Sequence, residues 1–449
     1  LKPGFMPRVS LISLGCAKNL VDSEVMLADL ARAGYVFTDN VSASEILIIN
    51  TCGFIQSARE EALEVIHQAL SWKKDRPGRQ LVVTGCYVER FGDFLKVKYP
   101  EVDIWSGTRD FDRISEIIKR EKHFFRTETF LLNHTTPRII STGPNWAYVK
   151  ISEGCSHMCS FCSIPLIKGP YRSRSISSIV QEVQAMASVG VREVNLISHD
   201  TTYFGRDRKI EGGLVKLLKK LLLIKEIKWI RLLYGYPEEI RDDLLELLNE
   251  EKMCRYLDLP FQHASDRILK RMGRSIDGKR ALELIERIRR RVPGVVIRTS
   301  LIVGFPGEGR KEFKQLKDFV RQAEFEHLGV FVYSREIGTR AECLDDPVSG
   351  AEKENRRHEI MSIQKNISRK FYRRFRGQTL EVLTQRANSR KSYPLAARAK
   401  FQAPEVDGLV LVEHQPAHFD RKIPDFVRVK ITRSLTYDLV GKVADDQTG

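Results

Sequence analysis

Three cysteines in the run ISEGCSHMCSFC, Cys155, Cys159 and Cys162, stand with three and then two residues between them. Thiolates at that spacing can hold three irons of a four-iron, four-sulfur cluster and leave the fourth iron without a protein ligand. An open iron is a place for a substrate or cosubstrate to bind. A second trio, Cys16, Cys52 and Cys86, is scattered in sequence but alike in context, each cysteine following an apolar run. Together the trios imply an enzyme with two iron–sulfur clusters. Zinc favours paired C-x2-C units and four ligands, and no partner pair follows this loop. Disulfides belong to oxidising compartments, whereas LKPGFMPRVSLISLG at the start has too short an apolar stretch for a secretory signal. Small thiols filling strand ends are the bland alternative. Cys254 and Cys343 fit neither trio and read as ordinary buried or partly exposed thiols.

The elements around the cysteines explain how they can meet. In residues 1–142 the strand-like runs VSLISLG, EILIINT and LVVTG alternate with helical patterns, which predicts βαβ units and an open parallel sheet. Each cysteine of the scattered trio directly follows one of these runs. The carboxyl ends of parallel strands form one ligand-binding edge, so three distant residues converge. Residues 143–350 offer six further strands, WAYVKIS, EVNLIS, WIRLLYG, YLDLPF, VVIRTSLIVG and HLGVFVY, alternating with helices. Six such units suggest a partial (β/α) barrel with its site at the C-terminal strand ends. The cysteine loop, SHDTTYFG, PFQHASD and VGFPGE all fall on that face. Residues 351–376 read as a basic helix, either a solvated linker or a partner-binding surface. Residues 377–449 change to short strands, QTLEVLTQ, LVLVEH, FVRVKITRS and YDLVGKV, and predict a small antiparallel β-barrel. The fold class is therefore α/β, with a C-terminal all-β module.

The chain has 449 residues and a net charge of +16. That excess favours an anionic neighbour such as RNA or the ribosome. Residues 377–449, however, hold 11 Lys or Arg against 9 Asp or Glu, which is nearly neutral for a module meant to grip phosphates. The longest apolar stretch, LVKLLKKLLLIKEIKWI, is interrupted by charges; no membrane span is expected, and the cytoplasm is the expected compartment.

Taken whole, the chain resembles the radical S-adenosylmethionine methylthiotransferases, which join a cluster domain, a radical barrel and a TRAM domain. The resemblance rests on SEGCSHMCSFCSIP, LDLPFQHASDRILKRM, SLIVGFPGE, VFVYSREIGT and RAKFQAPEVDG. LGCAKNLVDSE around Cys16 looks most like the branch that methylthiolates an aspartate of small-subunit ribosomal protein number twelve. Relatives that modify a tRNA adenosine read more like FGCQMN there, and they supply the alternative function. Ala17 stands where proline is usual and His199 where glutamine is common.

The resemblance implies two 4Fe-4S clusters and S-adenosylmethionine, cleaved at the open iron of the barrel cluster to a 5′-deoxyadenosyl radical. Phe161 would sit beside the adenine, with backbone near Ile302, Val303 and Gly304, and Gly307 would permit a tight turn. The cluster at Cys16, Cys52 and Cys86 would present the sulfur, methylated by a second S-adenosylmethionine. An electron donor and a sulfur source are implied as further partners. His199 and His263 are each either local hydrogen-bonding groups or proton-transfer residues.

Overall fold

The computed structural model describes residues 6–120, 130–385, 393–413 and 423–444. His414, at the end of LVLVEH, lies outside them. In the first sheet, β1 (Arg8–Ser13), β2 (Val36–Phe37), β3 (Ile46–Thr51), β4 (Gln80–Gly85) and β5 (Ile104–Ser106) lie in the order β2-β1-β3-β4-β5. Every pair is parallel. Helices α1 (Ala17–Arg32), α2 (Gln56–Lys74) and α3 (Cys86–Lys98) make the crossovers, and α4 (Ile114–Arg120) follows β5. Parallel strands covered on both faces read as continuous apolar runs. In β3, Leu47 and Ile49 share a core with Ile66 and Trp72 of α2, whereas Ile46 and Ile48 share one with Val21 and Val25 of α1. β2 and β5, at two and three residues, are too short to show a period in sequence.

The central sheet begins with β6 (Trp146–Lys150), which leads into an antiparallel ribbon of β7 (Ser152–Glu153) and β8 (Arg172–Ser173). β9 (Glu193–Ile197), β10 (Trp229–Leu232), β11 (Met253–Asp258), β12 (Val296–Val303) and β13 (His327–Val332) complete it in sequence order beside β6. All five pairings are parallel, so the six predicted strands form an open-sided barrel. The ribbon brackets the cysteine loop and α5 (Ile164–Lys168). Outside the sheet pack α6 (Ile176–Ser188), α7 (Gly213–Leu222), α8 (Asp242–Leu247), α10 (Gly278–Arg291) and α11 (Arg310–Ala323), while α9 (Asp266–Met272) lies beside the cysteine loop. Their apolar stripes meet Val149, Leu196, Ile230, Ile297 and Leu328 in one core.

The basic helix is α12 (Gly350–Arg373), and it is neither a solvated linker nor wholly a free surface. Lys353, Arg356, Ile360, Gln364, Ser368 and Phe371 recur every three or four residues and are buried, one face of a helix. Arg356 Nη1 donates to Glu308 Oε1 at 2.7 Å, and Gln364 Nε2 to the Phe325 carbonyl at 2.7 Å. After it come β14 (Thr379–Gln385), β15 (Leu395–Ala399), β16 (Val410–Val412), β17 (Phe426–Ser434) and β18 (Leu439–Val443), closed into a barrel. One pair, β16 with β18, is parallel, because the chain crosses to β17 before returning beside β16. The alanine-rich β15, LAARA, has weak strand propensity and was not foreseen.

The inner face of the central barrel mixes aromatic and charged residues, and the segment from Arg398 to Asp407 packs against it. Glu193 accepts from Arg231 Nη2 at 3.0 Å and also pairs with Arg398. Arg231 Nη1 donates to the Lys400 carbonyl at 2.9 Å. Tyr148 Oη donates to Glu405 Oε2 at 2.8 Å and Tyr256 Oη to Asp407 Oδ2 at 2.7 Å, while Arg298 Nη1 meets Asp407 Oδ1 at 2.9 Å. Burial opposes ionisation of Glu193, but Arg398 and Arg231 outweigh it and lower its pKa. Truncation of one partner in a buried ion network leaves uncompensated charge, a loss of about 3–5 kcal/mol. Glu193→Ala is therefore expected to lower the denaturation midpoint strongly in urea melts followed by tryptophan fluorescence. An unshifted midpoint would show that the two guanidinium groups find water instead.

Candidate active site

The scattered trio converges through glycines. Cys16 caps α1, Cys52 follows β3 and Cys86 opens α3, and each is next to a glycine, Gly15, Gly53 or Gly85. A Cβ on Gly15 would lie 2.7 Å from Cys52 Cβ, one on Gly53 2.6 Å from Tyr87 Cα, and one on Gly85 2.5 Å from the Thr51 carbonyl. Gly15 and Gly85 also have φ of +93° and +103°, open to glycine at little cost. Only bare backbone lets the three loops approach this closely. Asn19, in the first turn of α1, binds all three. Its Nδ2 donates to the carbonyls of Leu14 and Thr51, both at 3.1 Å, and Cys86 Sγ donates to its Oδ1 at 3.4 Å. Asn50 Nδ2 in turn donates to the Asn19 carbonyl at 3.0 Å.

The second trio sits in a loop clamped from several sides. The Cys155 N–H donates to the Gly169 carbonyl at 3.1 Å, and the Ser160 N–H to the Met272 carbonyl at 2.9 Å. Gly154, at φ +76°, has no room for a Cβ against the Pro170 carbonyl, 2.2 Å away. Phe161 and Ile302 pack in one small cluster with Phe305 and Tyr333, so the two expected adenine neighbours are adjacent. Val303 turns its side chain into the outer core and offers only backbone. Gly304, at φ +70°, is pressed against Lys353, whose Cγ would be 2.3 Å from a Cβ. Gly307, at φ +92°, makes the expected turn.

The loops that carry the two trios touch. Ser163 Oγ, one residue past Cys162, donates to the Phe54 carbonyl, two residues past Cys52, at 3.4 Å. Arg90 Nη1 donates to the Gly53 carbonyl and to Glu336 Oε2, each at 2.8 Å, and Arg59 pairs with the same carboxylate. Beneath them Lys150 and Lys168 share Asp22 and Glu153, with Lys150 Nζ 2.7 Å from Glu153 Oε2 and Lys168 Nζ 3.1 Å from Asp22 Oδ2. Lys18 Nζ stands 3.1 Å from the centroid of the Tyr234 ring.

The thiols fit iron–sulfur ligation. Burial pushes Cys52 up to about 11, and the neighbouring Cys16 adds to the rise. Burial also raises Cys86, opposed by Lys168 and reinforced by Cys52 and Cys16. In the barrel, burial raises Cys155 to about 11, and Cys162 rises through burial and through Cys159. Such thiols lose their protons on binding metal. Among the described residues no three His, Cys, Asp or Glu side chains are grouped so that they could hold a metal ion.

Several neighbours carry no signal in sequence. His157, inside the cysteine loop, stacks on Tyr236 with ring centroids 3.8 Å apart, and its Nε2 is 2.6 Å from Asp200 Oδ2. Arg274 covers the Tyr236 ring with its guanidinium carbon 3.8 Å from the centroid. Burial raises the Tyr236 hydroxyl against the opposing Arg274, and the nearby Cys159 and Glu238 add to the rise. His263 is fully buried; its Nδ1 accepts from the Ser265 N–H and its Nε2 is 3.0 Å from Glu308. The Nε2 atom therefore carries the proton, and the residue is a local hydrogen-bonding group. Burial, with Lys18 next, lowers His199 to about 3, so it is neutral at physiological pH. Cys254 is buried and Cys343 exposed, each apart from the trios.

Comparison with known proteins agrees with this geometry. Residues 149–320 match the radical SAM superfamily, residues 8–107 the uncharacterized protein family UPF0004, and residues 377–444 the TRAM domain. The ribosomal protein uS12 methylthiotransferase RimO of Aquifex aeolicus is 44% identical, the match covering 97% of each chain. That of Syntrophotalea carbinolica is 43% identical over 98% of this chain and 97% of its own. In fold, the chain is similar to the radical S-adenosylmethionine methyltransferase TsrM of Kitasatospora setae, with a TM-score of 0.56 at 12% identity, over 86% of this chain and 79% of the other. Two parallel-sheet edges bearing cysteine trios, carried through a chain aligned over nearly its full length, place this protein in the RimO family of radical S-adenosylmethionine methylthiotransferases.

Proposed function

We propose that this chain inserts a methylthio group at the β-carbon of an aspartate of ribosomal protein uS12, using two 4Fe-4S clusters. Cys155, Cys159 and Cys162 hold the cluster that binds S-adenosylmethionine, and Cys16, Cys52 and Cys86 hold the one that delivers sulfur. The observation that carries the reading is the contact between the loops of the two trios through Ser163 and Phe54. The relatives named above act on the same protein. An electron donor and a sulfur source are required partners, and the cytoplasm is the expected setting; no described helix is long and apolar enough to cross a membrane. The same reading divides the chain into 1–142, 143–350, 351–376 and 377–449.

When bound, the clusters and S-adenosylmethionine supply hydrogen abstraction and sulfur, chemistry beyond any side chain. The protein's own residues do the placing. Phe161 and Ile302 form an apolar shelf for an adenine, while Gly304 keeps the strand end narrow. His157, held by Asp200 and Tyr236, stiffens the loop that carries the barrel thiols. Asn19 and the three glycines fix the other trio, and Arg90 with Glu336 ties that trio's Gly53 loop to the barrel. The segment Arg398–Asp407 closes the barrel from within, so this part of the last module is engaged internally and not offered to RNA.

Reconstituted protein carrying Cys155→Ala is expected to form neither methionine nor 5′-deoxyadenosine from S-adenosylmethionine. Cys52→Ala should retain that cleavage and lose methylthio transfer; intact transfer in this variant would sink the two-cluster assignment. Asn19→Ala should lower iron per chain toward the value of the Cys52 variant, because the loops it ties are freed. Iron content equal to wild type would show that the glycine contacts suffice. The decisive assay offers the uS12 loop peptide and whole tRNA together to anaerobic protein with S-adenosylmethionine, sulfide and a strong reductant. A methylthio group on the peptide aspartate, located by mass spectrometry, is the expected result. Its appearance on a tRNA adenosine alone would overturn the substrate assignment and leave the family intact.

A further inference from the structure

Lys18 is a buried lysine with no ion pair among the described residues. Four lysines of the described residues are buried, Lys18, Lys150, Lys168 and Lys353. Lys150 and Lys168 share Asp22 and Glu153, and Lys353 pairs with Asp346. Lys18, only 6% exposed, enters no ion pair among the described residues. Burying an ammonium without a counter-charge is costly, and such a group is retained where something else meets it. Part of the compensation is visible: the Tyr234 ring lies under Nζ at 3.1 Å. A ring face attracts the cation but does not neutralise it; the buried Asp258 carboxylate feels the charge without pairing with it, so the ammonium keeps donors for an anion.

The arrangement around it is held under strain. Tyr234 has φ +62°, a conformation that a bulky side chain adopts only when its surroundings impose it. Its N–H donates to Asp258 Oδ2 at 3.1 Å, and its carbonyl accepts from the Thr201 N–H at 2.9 Å. These two bonds, from the ends of neighbouring barrel strands, aim the ring at the first turn of α1. Lys18 is two residues from Cys16, which is exposed. The ammonium therefore lies between the segment that carries exposed Cys16 and Tyr234, which follows a barrel strand.

Resting on the function proposed above, we infer that Lys18 receives the carboxylate of the substrate aspartate and that Tyr234 holds the ammonium in place to do so. The chemistry explains why this position matters. The carbon that gains sulfur is bonded directly to the carboxylate carbon, so a cation gripping the carboxylate fixes the reacting C–H bond one atom away. A lysine anchored beside Cys16 fixes that bond relative to the sulfur donor as well. An asparagine or an uncharged base in the same place would leave the buried ammonium without an ion-pair partner, which is selection by an unmet partner.

The test is a binding comparison on reconstituted full-length protein. Fluorescence anisotropy would follow the uS12 loop peptide with aspartate at the target position and the same peptide with asparagine. Wild type should prefer the aspartate peptide by about tenfold or more, the scale of a charge-assisted hydrogen bond in a sheltered site. Lys18→Met, which keeps an unbranched side chain of similar length, should lose that preference, and Lys18→Arg should retain most of it. Iron content and melting temperature of each variant check that the fold and clusters persist. A Lys18→Met protein that weakens for both peptides equally, or keeps the wild-type preference, would overturn the inference and assign Lys18 a structural role. If wild type binds neither peptide, the substrate assignment itself falls and the inference falls with it.

Discussion

Asp22, Lys150, Glu153 and Lys168 set how the two sheets of this enzyme meet, and the site depends on that meeting. Lys150, Glu153 and Lys168 belong to the barrel and would carry a net positive charge if the barrel stood alone. Asp22, from α1 of the N-terminal sheet, supplies the missing negative charge. In a buried setting an uncompensated charge costs several kcal/mol, so the docked arrangement is favoured over one in which α1 is displaced. Docking in this register also brings the C-terminal edges of both sheets together. Arg90, Arg59 and Glu336 add a second anchor on the other side of the Cys52 loop. Two anchors leave little freedom to hinge, which suits chemistry whose reacting atoms must lie within bonding distance.

Much of this was legible in the residues. Parallel strands are buried on both faces, so β1, β3 and β4 show as largely apolar runs, and the cysteines at their ends mark the edge. The C-x3-C-x2-C spacing is local and needs no fold to be read. What stayed hidden depends on contacts distant in sequence. Asn19 could have been singled out by its place three residues after Cys16, yet only the assembled loops show that it binds all three. His157 gave no signal because its partners, Asp200 and Tyr236, lie on the next two strand ends. The inner barrel face was hidden for a similar reason: the partners of Glu193 and Arg231 lie some two hundred residues on, in the segment from Arg398 to Asp407. His263, ambiguous in sequence, is seen only in the structure to bond Glu308 and the Ser265 amide.

The glycines carry a related lesson about precision. Gly15, Gly53 and Gly85 are placed where a single added carbon would drive the loops apart, and Gly154 does the same work in the barrel. The cluster sites are therefore specified as much by what is left out of the sequence as by the thiols themselves. Close packing gives such sites little tolerance for added volume.

The segment from Arg398 to Asp407 has a consequence for how the protein is made. A nascent chain grows from its N-terminus, so all six barrel strands emerge well before this segment does. Until then Glu193, Arg231, Tyr256 and Arg298 face an open lumen in which their partners are missing. The barrel can collapse on its outer helices early, but its interior is completed only by the last hundred residues of the chain. Synthesis cut short before that point yields a hollow barrel with water among its charges. The barrel interior is thus complete only once the C-terminal module has been made, although the site it supports lies at the opposite face.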